Sequence, residues 1–296
     1  MKAFGVVTAT DSRHALALMA EHGAAARILA GGTDLLVDFK SADDPPRVVI
    51  DISRAEDLRG VSLSDEGLRI GALVTHAELT RSPIVRELLP AVVEAAHSIG
   101  AVQTRNLGTL GGNLMSCVPA MDSGPVLLAL DACVTVANAA GRRHMPLEQL
   151  FVGPRKTSLA ADELLVEIVI PKETLGKPCA FEKFGLRKGQ ALALVNVAAA
   201  FRVDRRNDSV LAPRIALGAV APTVIRARQA EAYLDERPIS AEVIAEAGRI
   251  AASEAAPISD FRASADYRRD LIAVLTKRAL NRAGMRAQRD AKESAR

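Results

Sequence analysis

Short apolar runs alternate with polar and glycine-rich segments at the start of the chain. Apolar residues at helical spacing follow Asp11, which is suited to cap a helix, and Gly23 is suited to end it. Residues 27–30 and 47–53 are apolar runs that predict two strands, and a short helix is predicted to begin at Asp34. A glycine-rich turn therefore joins the first strand to that helix, and Asp34 is expected to cap it.

From about Leu58 onward, strands are mixed with longer helical patterns. Pro90 interrupts a long helical pattern over residues 85–99, and the run 103–113 contains too many glycines for a helix or a central strand. The other elements predicted here are a strand over residues 68–72, a helix from Gly124, a hairpin that turns at residues 139–141 and a strand that ends at Pro171.

Strands and helices are separated in the last third of the chain, beyond a linker. Three strands are predicted over residues 180–184, 196–203 and 214–220, followed by three helices over residues 226–235, 241–254 and 267–287. Because the elements do not alternate as βαβ units, the predicted fold class is α+β. The predicted domains cover residues 1–56, 57–173 and 178–287, followed by a flexible tail over residues 288–296.

Composition excludes several classes of protein. The chain has 296 residues, 49% of them hydrophobic and 25% charged, which is enough for about two core-forming domains and excludes intrinsic disorder. A net charge of +3, isolated basic pairs and an aromatic content of 3% argue against binding to nucleic acid. The chain has no run of about 18 apolar residues and no signal-peptide pattern, so neither a membrane span nor secretion is expected.

The three cysteines, Cys117, Cys133 and Cys179, are far apart in the sequence. Their odd number and wide spacing predict neither a disulfide framework nor a zinc or iron–sulfur site in this chain, and they favour a reducing, cytoplasmic location. Cys117 is interpreted as a small buried side chain. No Ser–His–Asp arrangement and no metal-binding histidine pair is present, so the chain is assigned no catalytic residue and no metal ligand.

Two glycine-rich loops carry the candidate chemistry. In the first, residues 30–34 (Ala-Gly-Gly-Thr-Asp), several backbone N–H groups can converge on one point, as diphosphate binding requires. The second covers residues 108–113 (Gly-Thr-Leu-Gly-Gly-Asn), and Asp122 follows it as a candidate ligand of ribose hydroxyl groups. The first loop alone is best interpreted as a tight turn, whereas the two loops together favour a site for an extended diphosphate. Neither loop has the G-x-G-x-x-G or Walker pattern.

These segments are similar to those of a known family. Residues 30–36, 105–114 and 119–132 resemble, in the same order, the motifs of the FAD-binding medium subunit of the molybdenum hydroxylases, which include xanthine dehydrogenase and aerobic carbon monoxide dehydrogenase. The resemblance extends over residues 1–282. It implies a two-lobed FAD-binding domain of the vanillyl-alcohol-oxidase (PCMH) type, followed by a small α+β C-terminal domain with a three-stranded sheet and helices.

The resemblance also implies roles for individual residues. The first diphosphate loop would comprise Leu29, Ala30, Gly31, Gly32, Thr33, Asp34, Leu35 and Leu36, and the second Gly108, Thr109, Leu110, Gly111, Gly112 and Asn113. Asp122 would bind the ribose, Leu165 would pack on the isoalloxazine ring, and Lys183 would lie near the flavin. Some relatives carry an aromatic side chain where this chain has Ile99, and an aliphatic side chain does not stack in that way.

The function that the resemblance implies is electron transfer within a complex. Substrate would be oxidised at a molybdenum–molybdopterin centre in a large partner subunit, and electrons would cross two [2Fe-2S] clusters in a small partner to reach FAD in this chain. NAD⁺, a quinone or O₂ would be the external acceptor, and the complex is expected to be a dimer of heterotrimers. The substrate itself is selected in the large subunit, so this sequence does not identify it.

Two alternatives stay open. One is a self-contained FAD-dependent oxidoreductase of similar fold, and the other is an assembly subunit whose glycine loops bind no cofactor. A flavin spectrum and the co-purification of metal-containing partners distinguish the three possibilities. His76 follows a predicted strand and is interpreted as a capping or packed side chain rather than as a cofactor ligand.

Overall fold

Three β-sheets and a short two-stranded ribbon organise the chain. The computed structural model describes residues 3–43 and 46–294. Its strands are β1 (Gly5–Thr8), β2 (Ala26–Leu29), β3 (Val48–Asp51), β4 (Val61–Leu63), β5 (Gly67–Gly71), β6 (Cys133–Asn138), β7 (Gly141–Pro146), β8 (Phe151–Gly153), β9 (Lys156–Thr157), β10 (Leu164–Pro171), β11 (Cys179–Gly185), β12 (Ala193–Asp204), β13 (Ser209–Gly218) and β14 (Ile225–Arg226). Its helices are α1 (Ser12–His22), α2 (Leu35–Ser41), α3 (His76–Arg81), α4 (Pro83–Leu88), α5 (Pro90–Ser98), α6 (Val102–Leu107), α7 (Leu110–Ser116), α8 (Ser123–Ala129), α9 (Arg228–Leu234), α10 (Ala241–Glu254) and α11 (Ala265–Ser294).

The first lobe is a parallel sheet in the order β1-β3-β2, with helices α1 and α2. Asp11 caps α1, because its carboxylate accepts a 2.8 Å hydrogen bond from the N–H of His14, and Gly23 follows the helix with a φ of +52°. The two helices, the two strands and the glycine-rich turn predicted for this segment are therefore confirmed. The run Asp-Pro-Pro at residues 44–46 also predicts a loop, and it lies partly outside the described residues.

The second lobe is an antiparallel sheet in the order β4-β5-β10-β6-β7, and helices α3 to α8 come between β5 and β6. Pro90 separates α4 from α5, and β6 and β7 form the predicted hairpin. The prediction that residues 103–113 form neither helix nor strand is wrong, because α6 and α7 occupy most of this run. Tertiary packing outweighs the low helix propensity of glycine here, since Leu110 is fully buried and Gly111 packs directly on Ala72.

The C-terminal domain contains an antiparallel sheet in the order β11-β12-β13-β14, together with helices α9 to α11. The implied three-stranded sheet is wrong by one strand: β14 pairs Ile225 and Arg226 with β13, and two residues are too few to show an alternating pattern. Helix α11 extends to Ser294, so the backbone is helical where the sequence predicts a flexible tail from residue 288. That segment is rich in good helix formers, which explains the continuation.

Strand β12 is buried on both faces and joins the second lobe to the C-terminal domain. Ala198 and Ala200 belong to the same core as α8, whereas Val197 and Ala199 belong to the core that includes α10 and α11. A strand with two buried faces lacks polar alternation, and the first nine residues of β12 are accordingly all buried.

Candidate functional site

A cavity of about 600 Å³ lies between the first two lobes, where the two glycine-rich loops meet. The first loop connects β2 to α2, and the second comprises the junction between α6 and α7 and the first residues of α7. The sequence-predicted site residues that line this cavity are Ala30, Gly31, Gly32, Thr33, Asp34, Leu35, Gly108, Thr109, Gly111, Gly112, Asn113 and Leu165. The structure therefore brings both predicted loops, and the predicted ring-packing leucine, to one site.

The two loops touch at Gly31. A Cβ atom on this residue would lie 1.8 Å from the carbonyl oxygen of Leu107 and 2.5 Å from its carbonyl carbon, so the approach requires glycine. The hydroxyl group of Ser116, in α7, also donates a 2.8 Å hydrogen bond to the carboxylate of Asp34. The expectation that Asp34 caps α2 is wrong, because its carboxylate makes no capping hydrogen bond and contacts α7 instead.

The backbone N–H groups of the first loop have no acceptor within the described part of the chain. No hydrogen bond from the N–H groups of residues 31–35 to a described residue is formed. In the second loop, by contrast, the N–H groups of Leu110, Gly111 and Gly112 donate to carbonyl or hydroxyl oxygens of their own lobe. The amides of the first loop are therefore available to an anion, whereas the glycines of the second loop allow close packing.

Three predicted site residues support the loops from behind and do not line the cavity. Leu29 and Leu36 enclose Gly32, where a Cβ atom would lie 3.0 Å and 2.9 Å from their Cδ1 atoms. Gly32 has a φ of +68°, in the left-handed region that favours glycine. Leu110 is fully buried in the core of the second lobe. These leucines fix the shape of the two loops.

Asp122 and Lys183 form a buried ion pair and do not line the cavity. Their side chains are 7% and 10% exposed. The carboxylate of Asp122 also accepts a 2.8 Å hydrogen bond from Nδ2 of Asn196, and the ammonium group of Lys183 donates to the carbonyl oxygen of Ser98 at 3.1 Å. Burial raises the pKa of Asp122, and the neighbouring charge of Lys183 opposes that rise. Both side chains are thus engaged with groups of their own chain.

The sequence reasoning missed two charged pairs at the cavity. Arg155 and Asp38 both line it, and a guanidinium nitrogen of Arg155 lies 2.6 Å from the carboxylate of Asp38. Glu163, also in the lining, accepts two hydrogen bonds from Arg143, at 2.7 Å and 2.8 Å. These hydrogen bonds lower the pKa of Glu163 to about 2, so it is ionised at neutral pH. No local pattern predicts either pair, because their members are far apart in the sequence.

Cys117 fills a buried position next to the loops and does not line the cavity. It ends α7 with a φ of 46°, and its thiol lies 3.4 Å and 3.2 Å from the carbonyl oxygens of Gly153 and Lys156. Burial raises the pKa of this thiol. The prediction of a small buried side chain is confirmed.

Comparison with known families decides the identity of the chain. Residues 2–173 match the family described as the FAD binding domain in molybdopterin dehydrogenase, and residues 180–283 match the CO dehydrogenase flavoprotein C-terminal domain. The chain belongs to the FAD-binding medium subunits of the molybdenum hydroxylases. The resemblance stated from the sequence is confirmed, and with it the assignment of the chain to the flavoprotein subunits of oxidoreductases.

Relatives of this flavoprotein subunit match it over most of their length. It is 35% identical over 262 residues to the xanthine dehydrogenase FAD-binding subunit of Escherichia coli O157:H7, covering 87% of this chain and 88% of that one. It is 36% identical over 291 residues to the 6-hydroxypseudooxynicotine dehydrogenase complex subunit alpha of Paenarthrobacter nicotinovorans, covering 98% and 97%. The carbon monoxide dehydrogenase structure from Hydrogenophaga pseudoflava that lacks the Mo-pyranopterin moiety matches with a TM-score of 0.92 at 34% identity, covering 96% and 98%.

A capping box at the start of α3 holds this helix of the flavoprotein subunit beside the second loop. The hydroxyl oxygen of Thr75 accepts a 3.1 Å hydrogen bond from the N–H of Glu78, whose carboxylate accepts a 2.6 Å bond from the N–H of Thr75. Thr75→Ala is expected to lower the free energy of unfolding by about 1 kcal/mol in urea denaturation. Thr75→Ser keeps the hydroxyl and is expected to match the wild type. Equal losses in both variants would contradict the capping role.

Proposed function

We propose that this subunit binds FAD in the cavity between its first two lobes and passes electrons from the [2Fe-2S] clusters of a partner to an external acceptor. One observation carries the proposal: the N–H groups of residues 31–35, in the cavity wall, have no acceptor among the described residues. Free amides in a glycine-rich turn form an anion-binding concavity. A cavity of about 600 Å³ is also within the range of small-molecule sites.

The residues of the cavity fit FAD. The first loop supplies N–H donors for a diphosphate, and the carboxylate of Asp34 is already bound by Ser116. Leu165 and Ile99 give the cavity an aliphatic wall, which suits the isoalloxazine ring in a chain with an aromatic content of only 3%. When bound, FAD supplies the chemistry of accepting electrons singly and releasing them in pairs, and this chain supplies position and electrostatics.

The second loop and the buried ion pair have supporting roles in this proposal. Residues 107 and 108 contact the first loop at Gly31, and the diphosphate contacts of residues 108–113 stay a prediction. Asp122 and Lys183 fix the packing of α8, in the second lobe, against β11 of the C-terminal domain. Their direct contact with ribose and flavin stays a prediction. The domain boundaries proposed for the FAD-binding lobes are residues 1–56 and 57–173, with the C-terminal domain over 178–287.

Partners complete the proposed function. We place the molybdenum–molybdopterin centre in a large subunit and two [2Fe-2S] clusters in a small one, in a dimer of heterotrimers. The cysteines of this chain support that division, because all three are free and scattered, and iron–sulfur clusters are held by grouped cysteine thiolates. The relative from Paenarthrobacter nicotinovorans is itself named as a subunit of a dehydrogenase complex.

A cytoplasmic location is part of the same proposal. In the described part of the chain, no helix is long and apolar enough to cross a membrane. The three free cysteines fit a reducing compartment, where thiols persist.

The decisive experiment is purification of the full chain with and without its co-expressed partners. We expect a yellow protein with a flavin spectrum and about one FAD per chain, and partners that carry iron and molybdenum. A colourless chain that takes up no added FAD would contradict the proposal and support the assembly subunit. A flavoprotein that oxidises a substrate with no partner would support the self-contained oxidoreductase instead. Mass spectrometry of the large partner would identify the substrate class.

A further inference from the structure

His76 is a buried imidazole with no hydrogen-bond partner among the described residues. It lies in the cavity wall, is 2% exposed, and its Nδ1 atom is buried without a partner. Among the described residues, none forms a hydrogen bond with either ring nitrogen. The large majority of buried polar side-chain atoms in proteins do have a partner. The described part of the chain therefore leaves the ring without a hydrogen-bonding interaction.

The position of His76 indicates what that interaction is. Its backbone N–H donates a 3.0 Å hydrogen bond to the carbonyl oxygen of Gly108, which fixes the residue against the second loop. Its Cδ2 atom lies 3.3 Å from the point that a Cβ on Gly108 would occupy, and the hydroxyl oxygen of Thr33 lies 3.5 Å from the same point. The ring is thus at the junction of the two loops, near the free N–H groups of residues 31–35.

The protonation state of the ring defines what it can bind. Burial, together with the nearby charge of Arg105, lowers the pKa of His76 to about 4. The imidazole is therefore neutral at physiological pH and offers one N–H donor and one acceptor nitrogen. A donor among free backbone amides is complementary to the oxygens of a diphosphate.

We propose that His76 is a binding residue of this site, whose Nε2–H donates a hydrogen bond to the diphosphate of the cofactor. The inference rests on the proposed function, since FAD in the cavity is what supplies the acceptor. Nε2 makes no hydrogen bond to a described residue in the cofactor-free chain, and the diphosphate would supply its acceptor. The sequence-based interpretation of His76 as a packed side chain is confirmed by its burial, and the proposed role is additional to that packing.

The test compares FAD and ADP binding by the full chain after its FAD has been removed. His76→Phe keeps an aromatic ring but has no hydrogen-bond donor. It is expected to lower the affinity for both FAD and ADP about 10- to 100-fold, which is the strength of a hydrogen bond to a charged group. The FAD-free variant is expected to unfold at the same temperature as the FAD-free wild type, or higher, because no satisfied contact is lost. A lower unfolding temperature would show that His76 only packs, and would overturn the proposal.

Two further variants complete the experiment. His144→Phe is the matched control, because His144 is bonded to Thr135 on the β6–β7 hairpin and does not line the cavity; it is expected to bind FAD as the wild type does. His76→Gln places an amide donor near the Nε2 position and is expected to bind FAD more tightly than His76→Phe. If these two His76 variants bind equally weakly, the donor is not what matters and the proposal fails.

The outcomes separate this inference from the proposed function. If His76→Phe weakens FAD binding and leaves ADP binding unchanged, the contact is not to the diphosphate and the proposal is overturned. If the wild-type chain binds no FAD, the proposed function itself fails. If the wild type binds FAD and His76→Phe binds it equally well, only the role of His76 is contradicted.

Discussion

Replacing Gly31 with alanine is expected to abolish the retention of FAD during purification. The new Cβ atom would lie 1.8 Å from the carbonyl oxygen of Leu107 and 2.5 Å from its carbonyl carbon. Both are backbone atoms, so the collision is relieved only when the first loop moves away from α6. Overpacking of this kind costs about 1–3 kcal/mol or more, which corresponds to a loss of FAD affinity of about 5- to 140-fold or more when the displacement falls on the site.

The measurement is the ratio of bound FAD to protein, with the unfolding temperature of each variant recorded alongside. Gly189→Ala is the matched control, because a Cβ on Gly189 would meet no heavy atom within 4 Å and its φ is not in the left-handed region. This variant is expected to retain FAD and to unfold as the wild type does. A Gly31→Ala protein with full FAD content and unchanged unfolding temperature would contradict the contact between the two loops.

Features with local causes could be predicted from the sequence. Asp11 and Gly23 bound α1 because a cap and a stop act within one turn of the helix. Pro90 divides two helices because it lacks an N–H group. The strand–turn–helix unit around residues 30–34 could be predicted from its own apolar and glycine pattern. This unit supplies one of the two glycine-rich loops in the cavity wall.

Features with tertiary causes could not be predicted in this way. Helix α7 forms because Leu110 is buried and Gly111 packs on Ala72, and neither contact is visible in the local sequence. His76 lies in the cavity wall because the end of α6 packs against the start of α3, where the N–H of His76 donates to the carbonyl oxygen of Gly108. A single histidine after a strand carries no signal of that approach.

Asp122 shows most clearly where local reasoning ends. Its place before α8 makes it a candidate ligand, but Lys183 of β11 lies against it in the structure and neutralises its charge. The pairing is set by the packing of the C-terminal sheet on the second lobe, and no local sequence pattern predicts that packing. Only the family resemblance assigns both residues to the same site. A carboxylate that is 7% exposed also needs a cation nearby, because an unpaired buried charge is costly.

Lys183→Met is accordingly expected to destabilise the protein by about 3–5 kcal/mol at neutral pH, because it leaves the carboxylate of Asp122 buried and unpaired. The double variant Asp122→Asn/Lys183→Met removes both charges and is expected to recover much of that loss. Arg228→Met is the control for an ion pair, since the side chains of Arg228 and Glu148 are 60% and 43% exposed, and exposed pairs contribute about 0–1 kcal/mol. Urea denaturation measures all three.

The loss in Lys183→Met is expected to depend on pH with a definite sign. Burial already raises the pKa of Asp122, and removing Lys183 eliminates the charge that opposes this rise. Between the unfolded-state pKa of about 4 and the raised folded-state value, the folded variant binds more protons than the unfolded chain, so its stability falls as pH increases. The destabilisation relative to wild type is therefore expected to be smaller at about pH 5 than at about pH 8. An equal loss at both pH values would show that the cost comes from lost packing of the lysine side chain, and that the charge of Asp122 contributes nothing to it.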